Sequence, residues 1–142
     1  MRDRDGENPR EQFAALPWRR AEDGRVEVLL ITSRETRRWI IPKGWGKPDE
    51  APAAAAAREA FEETGVKGVV GDTPLGDYRY DKLLKDGRVQ QVTVGVYALE
   101  TTRERKSWPE KDLREKMWVA PDIAAGLVDE PELQALIAAF AP

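Results

Sequence analysis

Alternating and continuous apolar runs divide the chain into strands, and one long alanine-rich stretch interrupts them. Residues 12–20, QFAALPWRR, read as a strand whose Pro17 cannot donate to a ladder and so favours an edge position. Asp23-Gly24 signals a hairpin turn into a buried strand at 26–31. After a loop at 33–37, residues 39–41 form a short strand stopped by Pro42 and Gly44, and 44–50 is a loop punctuated by Gly44, Gly46 and Pro48. The stretch from Pro52 to Gly65 reads as a helix: Pro52 suits its first turn, the alanines carry the highest helix propensity, and Gly65 stops it. Ala51 is a poor N-cap, so the helix start relies on propensity and on Asp49 and Glu50 beside its positive end. Ala54, Ala57 and Phe61 are expected to line its apolar face.

Residues 66–70 follow as a short strand or connector, 75–84 and 89–99 as strands joined around Asp86-Gly87, and 101–108 as a polar, basic excursion. A short strand around Trp118, a short helix at 121–126 and an amphipathic helix at 131–140 close the chain. Strands, a helix, more strands and terminal helices predict an α/β fold, a mixed sheet with helices on its faces. Residues 1–11, polar and containing Gly6 and Pro9, are expected to form a disordered tail, leaving 12–142 as a single domain without internal repeats.

Composition narrows the chemistry mainly by what it lacks. There is no Cys and no His among the 142 residues, so thiolate nucleophiles, cysteine zinc sites and the commonest general base are all excluded. Ser33 and Ser107 are the only serines, and neither lies in a nucleophile-elbow context. Carboxylate chemistry remains, and oxygen ligands select hard cations, Mg²⁺ or Mn²⁺. No apolar run is long enough to span a membrane, and the charged start lacks the apolar core of a signal peptide, so a cytoplasmic protein is expected. A net charge of −3 gives no reason to expect DNA binding. Between Thr32 and Lys47, however, Arg34, Arg37, Arg38, Lys43 and Lys47 face a single acid, Glu35. A basic patch followed by an acidic helix suits a polyanionic substrate.

Three carboxylates fall within five positions at the end of the predicted helix, in Arg58-Glu59-Ala60-Phe61-Glu62-Glu63-Thr64-Gly65. Glu59, Glu62 and Glu63 stand at i, i+3 and i+4 and share a face, where like charges repel by about a few tenths of a kcal/mol per pair. A divalent cation would turn that cost into binding. A solvated charged face is the plain reading of REAFEE alone, but Gly44 and Glu50 precede it at fixed offsets and Gly65 follows. Together, Gly44, five residues, Glu50, seven residues, then Arg58 through Val66 resemble the signature of the Nudix hydrolases, Gly-x5-Glu-x7-Arg-Glu-U-x-Glu-Glu-x-Gly-U with U a bulky aliphatic residue. Val66 fits its U position; Ala60 is a smaller residue at the other, which faces the core.

The resemblance implies an α/β/α sandwich and hydrolysis of a phosphoanhydride bond. It implies that Glu59, Glu62, Glu63 and the carbonyl of Gly44 hold Mg²⁺ or Mn²⁺, with Glu62 a ligand or the base for the attacking water. Arg58 and Glu50 would orient these carboxylates. Thr32-Ser33-Arg34, the segment from Arg38 to Gly44, Gly65-Val66-Lys67-Gly68 and the late basic segment before Trp118 further resemble the diphosphoinositol polyphosphate phosphohydrolase branch, whose members also cleave dinucleoside polyphosphates. That likeness implies a polyphosphorylated small-molecule substrate, with Ser33, Arg34, Arg38, Lys43, Arg88 and Lys116 as substrate-binding candidates. Where this chain has Lys43-Gly44, the branch often has Gly-Gly. Alternatives are a hydrolase of other nucleotides, including capped RNA ends, or a non-catalytic nucleotide-binding module. Trp45 stands out among the tryptophans for its place in the glycine-flanked loop, and Glu110, Asp112 and Glu115 are candidates for a further acid. Nothing in the sequence indicates an oligomeric state.

Overall fold

The computed structural model describes residues 10–142. The tail expected at 1–11 lies outside the described residues except for Arg10 and Glu11, which already belong to the first strand. The elements run β1 (Arg10–Arg20), β2 (Val26–Thr32), β3 (Trp39–Ile40), β4 (Lys43–Gly44), α1 (Pro52–Thr64), β5 (Val66–Val70), β6 (Gly76–Leu83), β7 (Val89–Glu104), β8 (Lys116–Val119), α2 (Pro121–Leu127) and α3 (Pro131–Ala138). The strands form one mixed sheet with the path β3-β2-β1-β7-β5; β4 adds to β1, β6 to β7 and β8 to β2. Among the described residues, only the β1–β7 pairing, Arg10↔Val92 through Trp18↔Glu100, is parallel.

β1 is thus a central strand, which corrects the edge position expected from Pro17. On one side Pro17 is in register with Leu99 of β7. On the other, β1 pairs with β4 at Phe13 and Ala14 and with β2 only from Trp18 onward, and Ala15 N donates to Pro42 O (3.1 Å). Strand groups two residues apart point the same way. Pro17 therefore turns its missing N–H toward the gap where that side of β1 changes partner, and no ladder bond is lost.

Side chains alternate across the sheet into two cores. Ala14, Leu16, Val28, Leu30, Val92, Val94 and Val96 pack under α2 and α3 through Ala124, Val128, Leu133 and Ile137. Ala15, Leu29, Tyr97 and Leu99 pack under α1 through Ala56 and Ala60. The result is the expected α/β/α arrangement. The helix's buried apolar line is Ala55, Ala56 and Ala60, all 0% exposed, rather than Ala54, Ala57 and Phe61. A run of five alanines has no periodicity of its own, so the face it buries is chosen by its charged neighbours. Ala60 faces the core as its position implies.

The strands depart from the expected pattern in two places. β7 continues through Glu104, so residues 101–104 of the expected excursion pair with β5, and 66–70 is a strand. Lys43 and Gly44, beyond the expected strand at 39–41 and at the start of the expected loop, form a short strand paired with Phe13 and Ala14. Among the described residues, no helix is long and apolar enough to cross a membrane.

Candidate metal and phosphate site

The β4 ladder carries Gly44 against the side of α1. A Cβ at Gly44 would stand 2.3 Å from both Cδ and Oε2 of Glu59, far inside contact distance. Glycine therefore admits the Glu59 carboxylate here, and it is this approach, not backbone conformation, that a side chain would disturb. The loop then turns through Asp49, at a φ of 64°, and returns Glu50 to the helix.

Arg58 organises the acids around that loop. Its Nε and Nη2 donate to Glu50 Oε2 (2.8 Å) and Oε1 (2.9 Å), a two-point grip that fixes the plane of the guanidinium. Nη1 donates to Glu59 Oε2 (3.0 Å) and Glu62 Oε2 (3.3 Å), and Nη2 also reaches Trp45 O (3.2 Å). The Arg58 hydrogen bonds hold the Glu50 carboxyl down at about 2, helped by Lys47 N donating to Oε1 (3.0 Å). The same bond to Glu50 raises the Arg58 pKa further. Glu50 and Arg58 therefore stand as a permanent ion pair behind Glu59 and Glu62. The ring of Trp45 packs toward the α2/α3 core, and its carbonyl serves the site.

Glu63 is the unusual acid. Its residue is 5% exposed, its Oε1 accepts from Lys43 N (3.3 Å), and its nearest cation is Arg114 Nη2 at 3.9 Å. Burial pushes its carboxyl up from 4.5 to about 9 against the pull of Arg114, and a hydrogen bond shared with Glu59 adds to the rise. Burial likewise lowers Lys43 to about 8, opposed by the charge of Glu63. The Lys43 ammonium lies 4.9 Å from the Tyr80 ring centroid, and Tyr80 Oη donates to Gln12 Oε1 (2.8 Å).

Among the described residues, no group of three acidic side chains converges on a point that could hold a metal ion. Glu59 and Glu63 are joined by a side-chain hydrogen bond, while Arg58 Nη1 is shared between Glu59 and Glu62. The donor chemistry nonetheless fits a hard divalent cation: the buried Glu63 carboxyl hydrogen-bonded to Glu59, beside a backbone that lacks a Cβ. Glu62 is attached by the longest of the four Arg58–carboxylate contacts and has the most exposed side chain of the three acids, 34% against 12% and 5%.

The basic candidates separate. Ser33 closes the loop after β2, its Oγ 2.6 Å from Thr36 Oγ1 and accepting from Arg38 N (3.3 Å). Arg34 is exposed in the same loop. Arg38 is tied to Glu130 (2.7 Å), a partner at the start of α3 that the sequence did not reveal. Arg88 sits at the exposed tip of the β6–β7 hairpin with its Nε on Asp86 Oδ2 (2.7 Å). Lys116 Nζ donates to Thr64 O (2.8 Å) at the end of α1. Of the candidate further acids, Glu110 accepts from Arg114 Nε (2.9 Å), while Glu115 faces outward to Arg37. Arg114 was not singled out because KDLREK carries no pattern that distinguishes a buried arginine from a solvated one.

Comparison with known proteins identifies the family. Residues 10–140 match the NUDIX domain family. Curated relatives include Nudix hydrolase 16, mitochondrial, of Arabidopsis thaliana, 34% identical over 84% of this chain and 69% of its own length. Nudix hydrolase 12, mitochondrial, of the same plant is 36% identical over 67% of this chain and 48% of its own length. The bovine (Bos taurus) diphosphoinositol polyphosphate phosphohydrolase 3-beta is 36% identical over 73% of this chain and 58% of its own. The chain spans about half the length of several of the curated relatives it matches. Among solved structures, an Ap4A hydrolase of C. elegans superposes with a TM-score of 0.65 at 20% identity, covering 92% of this chain and 95% of that one. A NUDIX hydrolase of Nitrosomonas europaea gives 0.69 at 17%, covering 92% and 87%. The likeness in fold, the match over residues 10–140 and the Gly44–Glu59–Arg58 geometry lead to one assignment: this chain belongs to the Nudix family.

Proposed function

We propose that the chain is a Mg²⁺- or Mn²⁺-dependent hydrolase of phosphoanhydride bonds in a polyphosphorylated small molecule. The observation that carries this reading is the cradle at Gly44, where the missing side chain admits the Glu59 carboxylate beside buried Glu63. Glu59, Glu63 and the Gly44 carbonyl would hold the metal, with Glu62 adjacent. When bound, the metal would neutralise phosphoryl oxygens and polarise the attacking water. Glu62, the most exposed of the three acids, is suited to take a proton from that water as its oxygen bonds to phosphorus and the bridging P–O bond breaks. Arg58 steers Glu62 and Glu59 together, and its permanent pairing with Glu50 keeps it from swinging away.

Two substrate classes follow from the relatives and from the fold's neighbours, diphosphoinositol polyphosphates and dinucleoside polyphosphates. Supporting the second is the disposition of the cations. Arg88 is paired at a hairpin tip, Lys116 is bonded to the end of α1, Arg38 to Glu130, and Lys43 lies against the Tyr80 ring, which leaves Arg34 as the exposed candidate cation for outer phosphates. A densely phosphorylated inositol ring would need more. The test is Mg²⁺-dependent hydrolysis of a panel of inositol pyrophosphates, dinucleoside polyphosphates, sugar nucleotides and triphosphates by wild type and Glu62→Gln. Dinucleoside polyphosphates are expected to give the highest kcat/KM, and the variant to lose about a thousandfold. Equal activity of Glu62→Gln would remove it from the chemistry, and no turnover of any substrate would favour a binding module.

A further inference from the structure

The far end of α1 is held by more than a helix stop requires. The last carbonyls of a helix have no intrahelical donors, and a left-handed glycine cap ordinarily satisfies one or two of them. Gly65, at a φ of 81°, does supply its N–H to Phe61 O (2.9 Å). The three carbonyls that follow are each met from the segment between β7 and β8 and the start of β8. Glu62 O accepts from Glu110 N (3.0 Å), Glu63 O from Trp108 Nε1 (3.2 Å) and Thr64 O from Lys116 Nζ (2.8 Å). Gly65 O then accepts from Arg105 N (2.9 Å).

These donors are themselves joined. Trp108 packs on Gly65, where a Cβ would stand 2.5 Å from its Cε3, and Lys116 Nζ stands 4.2 Å from the Trp108 ring centroid. A cation over an aromatic face and at the negative end of a helix is favoured on both counts. From the same segment Arg114 bonds Glu110 and Thr32 O (3.1 Å) and faces the Glu63 carboxylate. Glu62 and Glu63 are therefore gripped by their carbonyls while their side chains face the site. A shift of this last turn moves both acids at once.

We infer that Trp108 and Lys116 are positioning residues for the hydrolysis, holding the last turn of α1 so that Glu62 and Glu63 meet the reacting groups. Lys116 on this account serves the helix and not the substrate's phosphates. The inference rests on Glu62 and Glu63 being the acids of the site.

The test uses the full chain with Mg²⁺ and the best substrate of the panel, well below each variant's Tm. Trp108→Phe keeps a ring over Gly65 and deletes the N–H; Lys116→Met deletes the ammonium; Lys116→Arg returns a donor. Trp18→Phe, on the opposite face of the sheet, controls for loss of stability. Trp108→Phe and Lys116→Met are each expected to lose about tenfold in kcat with KM within about twofold of wild type, as misplaced catalytic groups do. Lys116→Arg should recover most of the loss and Trp18→Phe should show none. In the metal-free protein, amide exchange over residues 61–66 should quicken about tenfold in the two damaging variants. An unchanged kcat in both, unchanged exchange, or a tenfold higher KM at constant kcat in Lys116→Met would overturn the assignment. Glu62→Gln separates the failures: if it is inactive while the clamp variants are normal, only the clamp falls, and if it is fully active, the site falls with it.

Discussion

The two sides from which α1 is held differ in chemistry and in how they relate to the chain. On the loop side everything lies within residues 43–63: one arginine grips Glu50 by two bonds and distributes its remaining donors to Glu59, Glu62 and a carbonyl. At the C-terminal end the donors come from residues 105–116, distant in sequence, and they bind backbone carbonyls. The first side sets where the carboxylates point; the second sets where the helix lies. Damage to the first should therefore strike activity with little loss of stability.

Outside the three helix acids themselves, the largest effect is expected from Gly44→Ala. Its backbone is not in a glycine-only conformation, and the three atoms nearest to a Cβ there all belong to the flexible end of Glu59. The fold should tolerate it while Glu59 is displaced, giving a loss of about a hundredfold in kcat/KM with nearly constant Tm. A Tm collapse matching the activity loss would mean that Gly44 is structural. A smaller effect is expected from Arg58→Lys, which keeps charge but cannot form the two-point bond to Glu50; about a tenfold fall in kcat/KM should follow. Arg88→Ala should do least, within about twofold of wild type, because its guanidinium is occupied with Asp86 at the hairpin tip. If Arg88→Ala were the more damaging of the pair, the hairpin tip would belong to the substrate surface.

The same contrast explains what the sequence disclosed. The loop side was legible because Gly44, Glu50, Arg58, Glu59, Glu62 and Glu63 all fall within one loop and one helix, so the proposed metal site requires them at fixed offsets in sequence. Strands with plain hydrophobic runs, and the turns at Asp23-Gly24 and Asp86-Gly87, were legible for the same local reason. The position of β1 was not, since Pro17 reports a missing donor but not that two partners divide one side of the strand between them. The buried face of α1 was not, because alanines give no period. Trp108, Arg114 and Glu130 were missed because each acts on residues 45 or more positions away, through partners that no local pattern ties to them. Lys116 was noticed for its charge, yet its nearest acceptor is a helix carbonyl.

Metal binding by the buried acids is the central claim, and Glu63 gives it a signature. With its carboxyl raised from 4.5 to about 9 by burial, the folded metal-free protein holds a proton there that the unfolded chain releases. The stability this contributes is complete below about 4.5 and is lost as pH rises toward 9. A cation at the site must expel the same proton. The direct measurement is calorimetric titration of the metal-free protein with Mn²⁺ between pH 6 and 8, for wild type and Glu63→Gln. Wild type should bind with an affinity that rises about tenfold per pH unit, and Glu63→Gln should bind weakly and without that slope. Equal binding by both proteins, or none by wild type, would contradict a metal site built on Glu59 and Glu63.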